Sequence, residues 1–177
     1  MKIIIQVYQF IQFVSLDVVA GAITMTFLFS RLYHVFLSTE IYFVLAICVW
    51  LIYTIDHLLD AKNIKGSANT RRHRFHQLYF IPLVYLSSIL LVVGFLLSLV
   101  FVPLVTWRWG LVLTLFSLLH FILVHFFGSN KSKLVFKELG VAFGYTCGVL
   151  IAPISLCSRF EWYYGLSAGL LFLVVLF

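Results

Sequence analysis

Apolar residues run through this chain in six long blocks, about 13–36, 41–60, 78–102, 109–127, 138–157 and 162–177, and the polar residues collect in the gaps. A helix needs about 20 apolar residues to cross a hydrocarbon core roughly 30 Å thick, and these blocks are close to that length. Strands of a membrane barrel would instead alternate apolar and polar over about ten residues, a pattern missing here. The prediction is an all-α polytopic transmembrane bundle of about six crossings, one helical domain spanning 1–177.

The gaps predict the breaks: Ser38-Thr39-Glu40, the 61–77 loop, Pro103 to Arg108, Gly128 to Lys137, and Ser158 to Glu161. Ser38 or Thr39 can cap the second helix, and Glu40 suits its first turn. Pro103 ends the third, with Trp107 and Trp109 at the level of an interfacial aromatic belt. Before the first block, Gln6, Gln9 and Gln12 form a polar stripe on an apolar helix. That stripe fits either an interfacial entry helix or the polar end of the first crossing. No small-residue cleavage site follows, so the start does not read as a signal peptide. The run Leu170 to Phe177 stays apolar to its last residue, which reads as part of a longer protein.

Composition agrees with the pattern: 63% of residues are hydrophobic and 10% charged, against about 45–50% and 25% in soluble domains. Of the twelve Lys and Arg residues, nine fall on one predicted side: Lys2, Lys62, Lys65, Arg71, Arg72, Arg74, Lys131, Lys133 and Lys137. Arg31, Arg108 and Arg159 fall on the other. The positive-inside rule then makes the N-terminus and the 61–77 basic loop cytoplasmic, in what reads as a bacterial inner membrane. Topology accounts for the net charge of +6, and no basic face with interleaved aromatics points to nucleic acid. Cys48, Cys147 and Cys157 lack any paired metal spacing and read as small apolar residues.

Candidate chemistry concentrates where the second block ends. Asp56 and Asp60 are four apart, on one helical face, and Lys62, Lys65, Arg71, Arg72, His73, Arg74 and His76 follow. Two carboxylates beside cations at a membrane surface suit a hard divalent cation, Mg²⁺, carrying a phosphorylated substrate. The plainer reading is a solvated helix end paired with nearby Lys and Arg. His57, His73 and His76 lie near the same surface, but only His73-Arg74-Phe75-His76 approaches a metal-binding histidine cluster, and its intervening cation disfavours a metal. His120 and His125 are about 140° apart around a helix and form no compact pair. Asp17 is an intramembrane acid near the basic side, expected to pair with the basic loop as a structural element. Lys137 and Glu138, taken separately, read as an interfacial helix start.

With these residues in place, the chain resembles the UbiA-type intramembrane prenyltransferase superfamily. Its first aspartate-rich motif, N-D-x-x-D-x-x-x-D, ends the second crossing and precedes a basic loop; Ile52-Tyr53-Thr54-Ile55-Asp56-His57-Leu58-Leu59-Asp60 keeps the last two aspartates. The run Lys137 to Pro153 resembles a later crossing of the family, and Gly140, Gly144 and Gly148 recur every four residues so that a neighbouring helix can approach. The resemblance implies a helical bundle of eight or nine crossings that moves a prenyl group from a prenyl diphosphate to a lipid-soluble acceptor. It implies Mg²⁺ held by Asp56 and Asp60, diphosphate held by Arg71, Arg72 and Lys137, and Tyr53 in the apolar or aromatic wall, where ordinary packing is its other role. The sequence departs from the motif where Ile52-Tyr53 replace Asn-Asp, and residues 1–177 contain no second aspartate-rich motif. The alternative is a non-catalytic UbiA-like scaffold or accessory subunit of a membrane complex. Its basic loop would then hold anionic membrane lipid, at about 1 kcal/mol per Lys or Arg.

Overall fold

The computed structural model describes residues 2–64, 66, 68, 70–126, 130–157 and 161–176, without the side chains of 2–6, 125, 126 and 130–136. The expectations placed on Lys2, Lys65, Lys131, Lys133, Gly128, Ser158, Arg159 and the His125 side chain lie outside what is described. The architecture is all-helical: α1 (Lys2–Phe13), α2 (Leu16–Leu32), α3 (Thr39–Asn63), α4 (Arg71–Leu78), α5 (Phe80–Phe101), α6 (Leu104–Phe126), α7 (Asn130–Ser155) and α8 (Trp162–Leu176). Among the described residues, α3, α5, α6 and α7 carry stretches long and apolar enough to cross a membrane, and the bent α1–α2 pair would make a fifth. At 15 residues, α8 reaches only about 22 Å at 1.5 Å per residue.

Three boundaries are set by the structure. First, where the glutamine stripe left two readings open, α1 is a helix of its own, bent by 76° from α2. Ser15 at φ 58° makes the break, with Val14 N–H donating to the Phe10 carbonyl and Ser15 N–H to that of Gln12. Second, α6 begins at Leu104, so Trp107 and Trp109 sit in its first turns and not in a connecting segment. Pro103 stands just before the helix, where its missing N–H loses no bond, and its carbonyl accepts from Trp107 N–H. Third, the end of the basic loop is the helix α4. Thr70, extended at φ −90° and ψ 143°, caps it by accepting from His73 N–H, satisfying one of the helix's orphan donors.

Contacts group the residues into two compact units. The first, Met1–Ile23 with Phe43–Val100, holds α1, the start of α2, most of α3, α4 and α5. One stripe of α3 is buried at Val44, Leu51, Thr54, Leu58 and Ala61, steps of seven, three, four and three that keep to one face. On α5 only Leu83, Ser87 and Gly94 are buried, while Ile81, Val84, Tyr85, Ile89, Val92 and Leu96 are exposed. An apolar surface of that extent on a helix of crossing length suits lipid. Gly94 lies against Ile47 of α3, and a small residue there lets the two backbones approach. Aromatic rings dock α1 on α4: Phe75 lies 6.2 Å from Phe10, edge-on, and 6.0 Å from Phe13, stacked.

The second unit, Thr24–Tyr42 with Phe101–Phe177, packs α6 on α7 and α7 on α8. Gly140 carries the His120 imidazole directly over it and Gly148 meets Leu113, but Gly144 has no neighbour within 4 Å. Of the three glycines expected to admit a neighbouring helix, Gly140 and Gly148 therefore meet α6 among the described residues. Buried hydroxyls join the helices: Thr26 donates to the Val149 carbonyl at 3.0 Å, and Thr106 Oγ1 lies 2.6 Å from Ser155 Oγ. At the end of α2, His34 takes a left-handed φ of 54°, and Val35 N–H reaches back to the Ser30 carbonyl, a Schellman-type stop.

Candidate functional site

The polar residues of the first unit converge where α3 ends and α4 begins. His57 and Asp60 are three apart on the last turns of α3, hence neighbours on one face. His73, in the first turn of α4, returns to the same place. One donor atom from each of His57, Asp60 and His73 lies within 4.8 Å of the other two. His73 Nε2 is 3.9 Å from Asp60 Oδ2, and both side chains are roughly 30% exposed. His57 is the most enclosed of the three, with a buried Nδ1. The His57 ring centroid is 6.0 Å from that of His73 and 5.1 Å from that of His76, edge-on in both cases.

Several bonds hold this corner in shape. Thr70 Oγ1 lies 2.9 Å from His73 Nδ1, which fixes the ring and turns Nε2 towards Asp60. His76 Nδ1 bonds the Arg72 carbonyl at 2.9 Å. A carbonyl only accepts, so Nδ1 carries the proton and Nε2 the lone pair. Burial pushes the His76 pKa down against the pull of that hydrogen bond, and the Arg72 and His73 charges push the same way as burial. Arg72 donates to the Gln12 carbonyl at 2.8 Å, a cation at the C-terminal end of α1 where it opposes the helix dipole. Its other terminal nitrogen lies 3.4 Å from His57 Nε2.

Sequence reasoning missed Gln77. Its Oε1 accepts from Ala68 N–H at 3.0 Å, and its Nε2 donates to the Ala61 and Gly66 carbonyls at 3.3 and 3.1 Å. Arg74 adds a bond to the Ala68 carbonyl, and Gly66 turns the chain at φ +94°, a conformation glycine adopts without strain. One amide side chain thus folds the loop onto both helices. No local pattern around Gln77 announces this.

The residues singled out in the sequence separate. Asp60 and Arg72 lie in the corner, whereas the carboxylate of Asp56 is not in the group of converging donors. Arg71 and Lys62 are exposed beside the corner's own helices, and Tyr53 is half-buried on α3. Lys137 is half-buried on α7, in the second unit. Asp17 is half-buried in the first turn of α2. Its Oδ1 has no hydrogen-bond partner among the described residues, and Lys65 of the basic loop lies outside them. The donors that do converge, two imidazoles and one carboxylate, do not fit Mg²⁺, which demands oxygen ligands. Away from this corner, a concavity of about 550 Å³ opens in the second unit between Tyr33, His34, Leu156, Cys157, Glu161 and Tyr164.

The class the fold defines is an all-helical protein with several helices fit to cross a membrane, carrying a histidine–carboxylate–arginine corner. No family model, curated protein or solved structure matches the chain.

Proposed function

We propose that the chain is a UbiA-like integral membrane protein with six crossings that binds a prenyl diphosphate at the cytoplasmic corner of α3 and α4. Its isoprenoid tail would lie among the apolar helices, and the intact protein would transfer the prenyl group to a lipid-soluble acceptor. The observation that carries this reading is Arg72, pinned between the end of α1 and His57 at the tip of an apolar helix of crossing length. A guanidinium held in that way is pre-oriented for phosphate oxygens. Exposed Arg71 and Lys62 add charge beside it.

The chemistry asked of these groups is limited. Arg72 and Arg71 offset the charge that grows on a departing diphosphate. The apolar flank keeps water from an allylic group that becomes cation-like. Tyr53 precedes His57 by one turn and Asp60 by two, on one stripe of α3, and supplies a ring to that flank. Mg²⁺, where bound, would take carboxylate oxygen from Asp56 or Asp60 and its other ligands from water and the diphosphate, and no step is routed through it.

A second reading, the non-catalytic accessory subunit, is favoured by Ile52-Tyr53 in place of the motif's Asn-Asp. In that case the corner would hold a phosphorylated lipid without turning it over. Titration of farnesyl diphosphate and farnesol into the protein in nanodiscs tests the shared core of both. The diphosphate should bind at least tenfold more tightly than the alcohol, and Arg72→Ala should remove about tenfold, since a hydrogen bond to a charged group contributes about 1.5–3 kcal/mol. Arg71→Ala, at an exposed position, gives a milder loss without disturbing α1. Equal affinity for alcohol and diphosphate would sink the reading. Diphosphate released from bound substrate would separate the enzyme from the accessory subunit.

A further inference from the structure

The mixed nitrogen and oxygen donor set has a meaning of its own. We propose that His57, Asp60 and His73 form a binding site for a nitrogen-accepting divalent metal, of which Zn²⁺ is the type. Two imidazoles and a carboxylate are the ligand set of open, three-ligand zinc sites, in which a fourth position stays free for water or substrate. The ligands come from two helices joined by a short, bonded loop, and their donor atoms already lie within 4.8 Å of one another. Ligands about 2.0–2.1 Å from one tetrahedral ion stand about 3.4 Å apart. The widest gap must therefore close by about 1.4 Å, which small rotations of imidazole and carboxylate supply without moving either helix.

The surroundings support a ligand role. A metal-bound histidine needs its second nitrogen held by an outer partner. His73 has this in Thr70 Oγ1, at 2.9 Å from Nδ1, leaving Nε2 on the side of Asp60. The loop that brings His73 back to α3 is tied by Gln77 at Gly66 and Ala68, and the same side chain bonds Ala61 of α3. The Arg72 guanidinium beside His57 Nε2 opposes a bare cation there. It suits a cation that carries an anion at its open position, with the guanidinium swinging from His57 to that anion. The anion is the diphosphate only if the proposed function holds; the three ligands do not depend on it. Asp56, four residues before Asp60, is outside the set.

The test uses tag-free full chain in detergent, stripped with a chelator and free of any prenyl lipid. Zn²⁺ and Mg²⁺ are titrated by calorimetry, and Co²⁺ by its visible absorption, which reports coordination number. One Zn²⁺ should bind per chain, and a thousandfold excess of Mg²⁺ should not displace it. His73→Ala and Asp60→Asn should each weaken Zn²⁺ more than about a hundredfold, the upper end of what loss of an outer partner alone costs. Thr70→Ala should weaken it about tenfold, with Thr70→Ser restoring it, and Asp56→Asn should change it less than threefold. Should His57→Ala fail to fold, by its helical circular dichroism, the more exposed His73 position decides the matter. Displacement by Mg²⁺, a Co²⁺ spectrum unchanged in His73→Ala, or equal losses in Asp56→Asn and Asp60→Asn would each overturn the site. Because no lipid is present, failure of diphosphate binding leaves the outcome untouched.

Discussion

Replacing Gly94 by Ala should loosen the packing of α5 on α3, by an amount the geometry sets. A Cβ built on Gly94 would lie 2.8 Å from Ile47 Cγ2 and 3.6 Å from its Cβ, against the 3.4 Å at which ordinary contact begins. The neighbour must yield about 0.6 Å, the difference of 3.4 and 2.8. Ile47 cannot swing that methyl aside, because a β-branched residue in a helix has one strongly preferred χ1. The helices must then part, and overpacking of this kind costs about 1–3 kcal/mol. Alanine returns about 0.8–1.0 kcal/mol of helix propensity over glycine, so the net loss is about 1 kcal/mol, or about 2–4 °C in melting temperature for a chain of this size.

Two controls separate the clash from the propensity. Gly144 has nothing within 4 Å, so Gly144→Ala should raise the melting temperature by the propensity gain alone. Ile47→Leu removes the branching methyl, and in that background Gly94→Ala should turn from harmful to neutral or better. The resulting coupling of about 1–2 kcal/mol lies within the range for contacting residues. Thermal unfolding in a single detergent, followed by circular dichroism, reads all four proteins. A Gly94→Ala protein that gains as much stability as Gly144→Ala, with no coupling to Ile47, would refute the close approach of α3 and α5.

Other expectations concern single bonds and sidedness. Tyr33 is 2% exposed and its hydroxyl is 2.7 Å from Ser167 Oγ; Tyr33→Phe should cost about 0.6–1.7 kcal/mol, the range for bonds between membrane helices, and add little to Ser167→Ala. Gln77→Leu leaves the N–H of fully buried Ala68 unsatisfied, at about 1–3 kcal/mol; limited proteolysis between Asn63 and Thr70 should accelerate, and an unchanged rate would deny Gln77 its role. With Cys48, Cys147 and Cys157 replaced, a cysteine at exposed Lys62 should react with an impermeant maleimide from the cytoplasmic side alone, and reaction from the outer side would reverse the orientation.

The long helices were legible because a bilayer imposes length and apolarity together, and both are read directly from a run of residues. The helix α4 was not. Arg71 to Leu78 carries three arginines, two histidines and no apolar periodicity, so nothing local distinguishes it from a solvated loop. Its stability comes from the Thr70 cap and from Phe75 entering between Phe10 and Phe13, more than 60 residues earlier. Contacts that distant leave no spacing to recognise. The glycine run, by contrast, was plain in its period, and Gly140 and Gly148 do meet α6, at His120 and Leu113.

Helical geometry gave Asp60 two candidate neighbours on α3. On a helix of 3.6 residues per turn, Asp56 lies about 40° to one side of Asp60 and His57 about 60° to the other. Both are its surface neighbours by the i,i+4 and i,i+3 rules, so spacing alone left the choice open. Two carboxylates made the more familiar pair, and His57 passed as a residue inside the motif. What decides between them is the side on which the chain returns. The structure brings α4 back beside His57, with Thr70 and Gln77 fixing the return, and His73 arrives there with its Nε2 towards Asp60. The chemistry of the corner is thereby set by a helix with no hydrophobic signature.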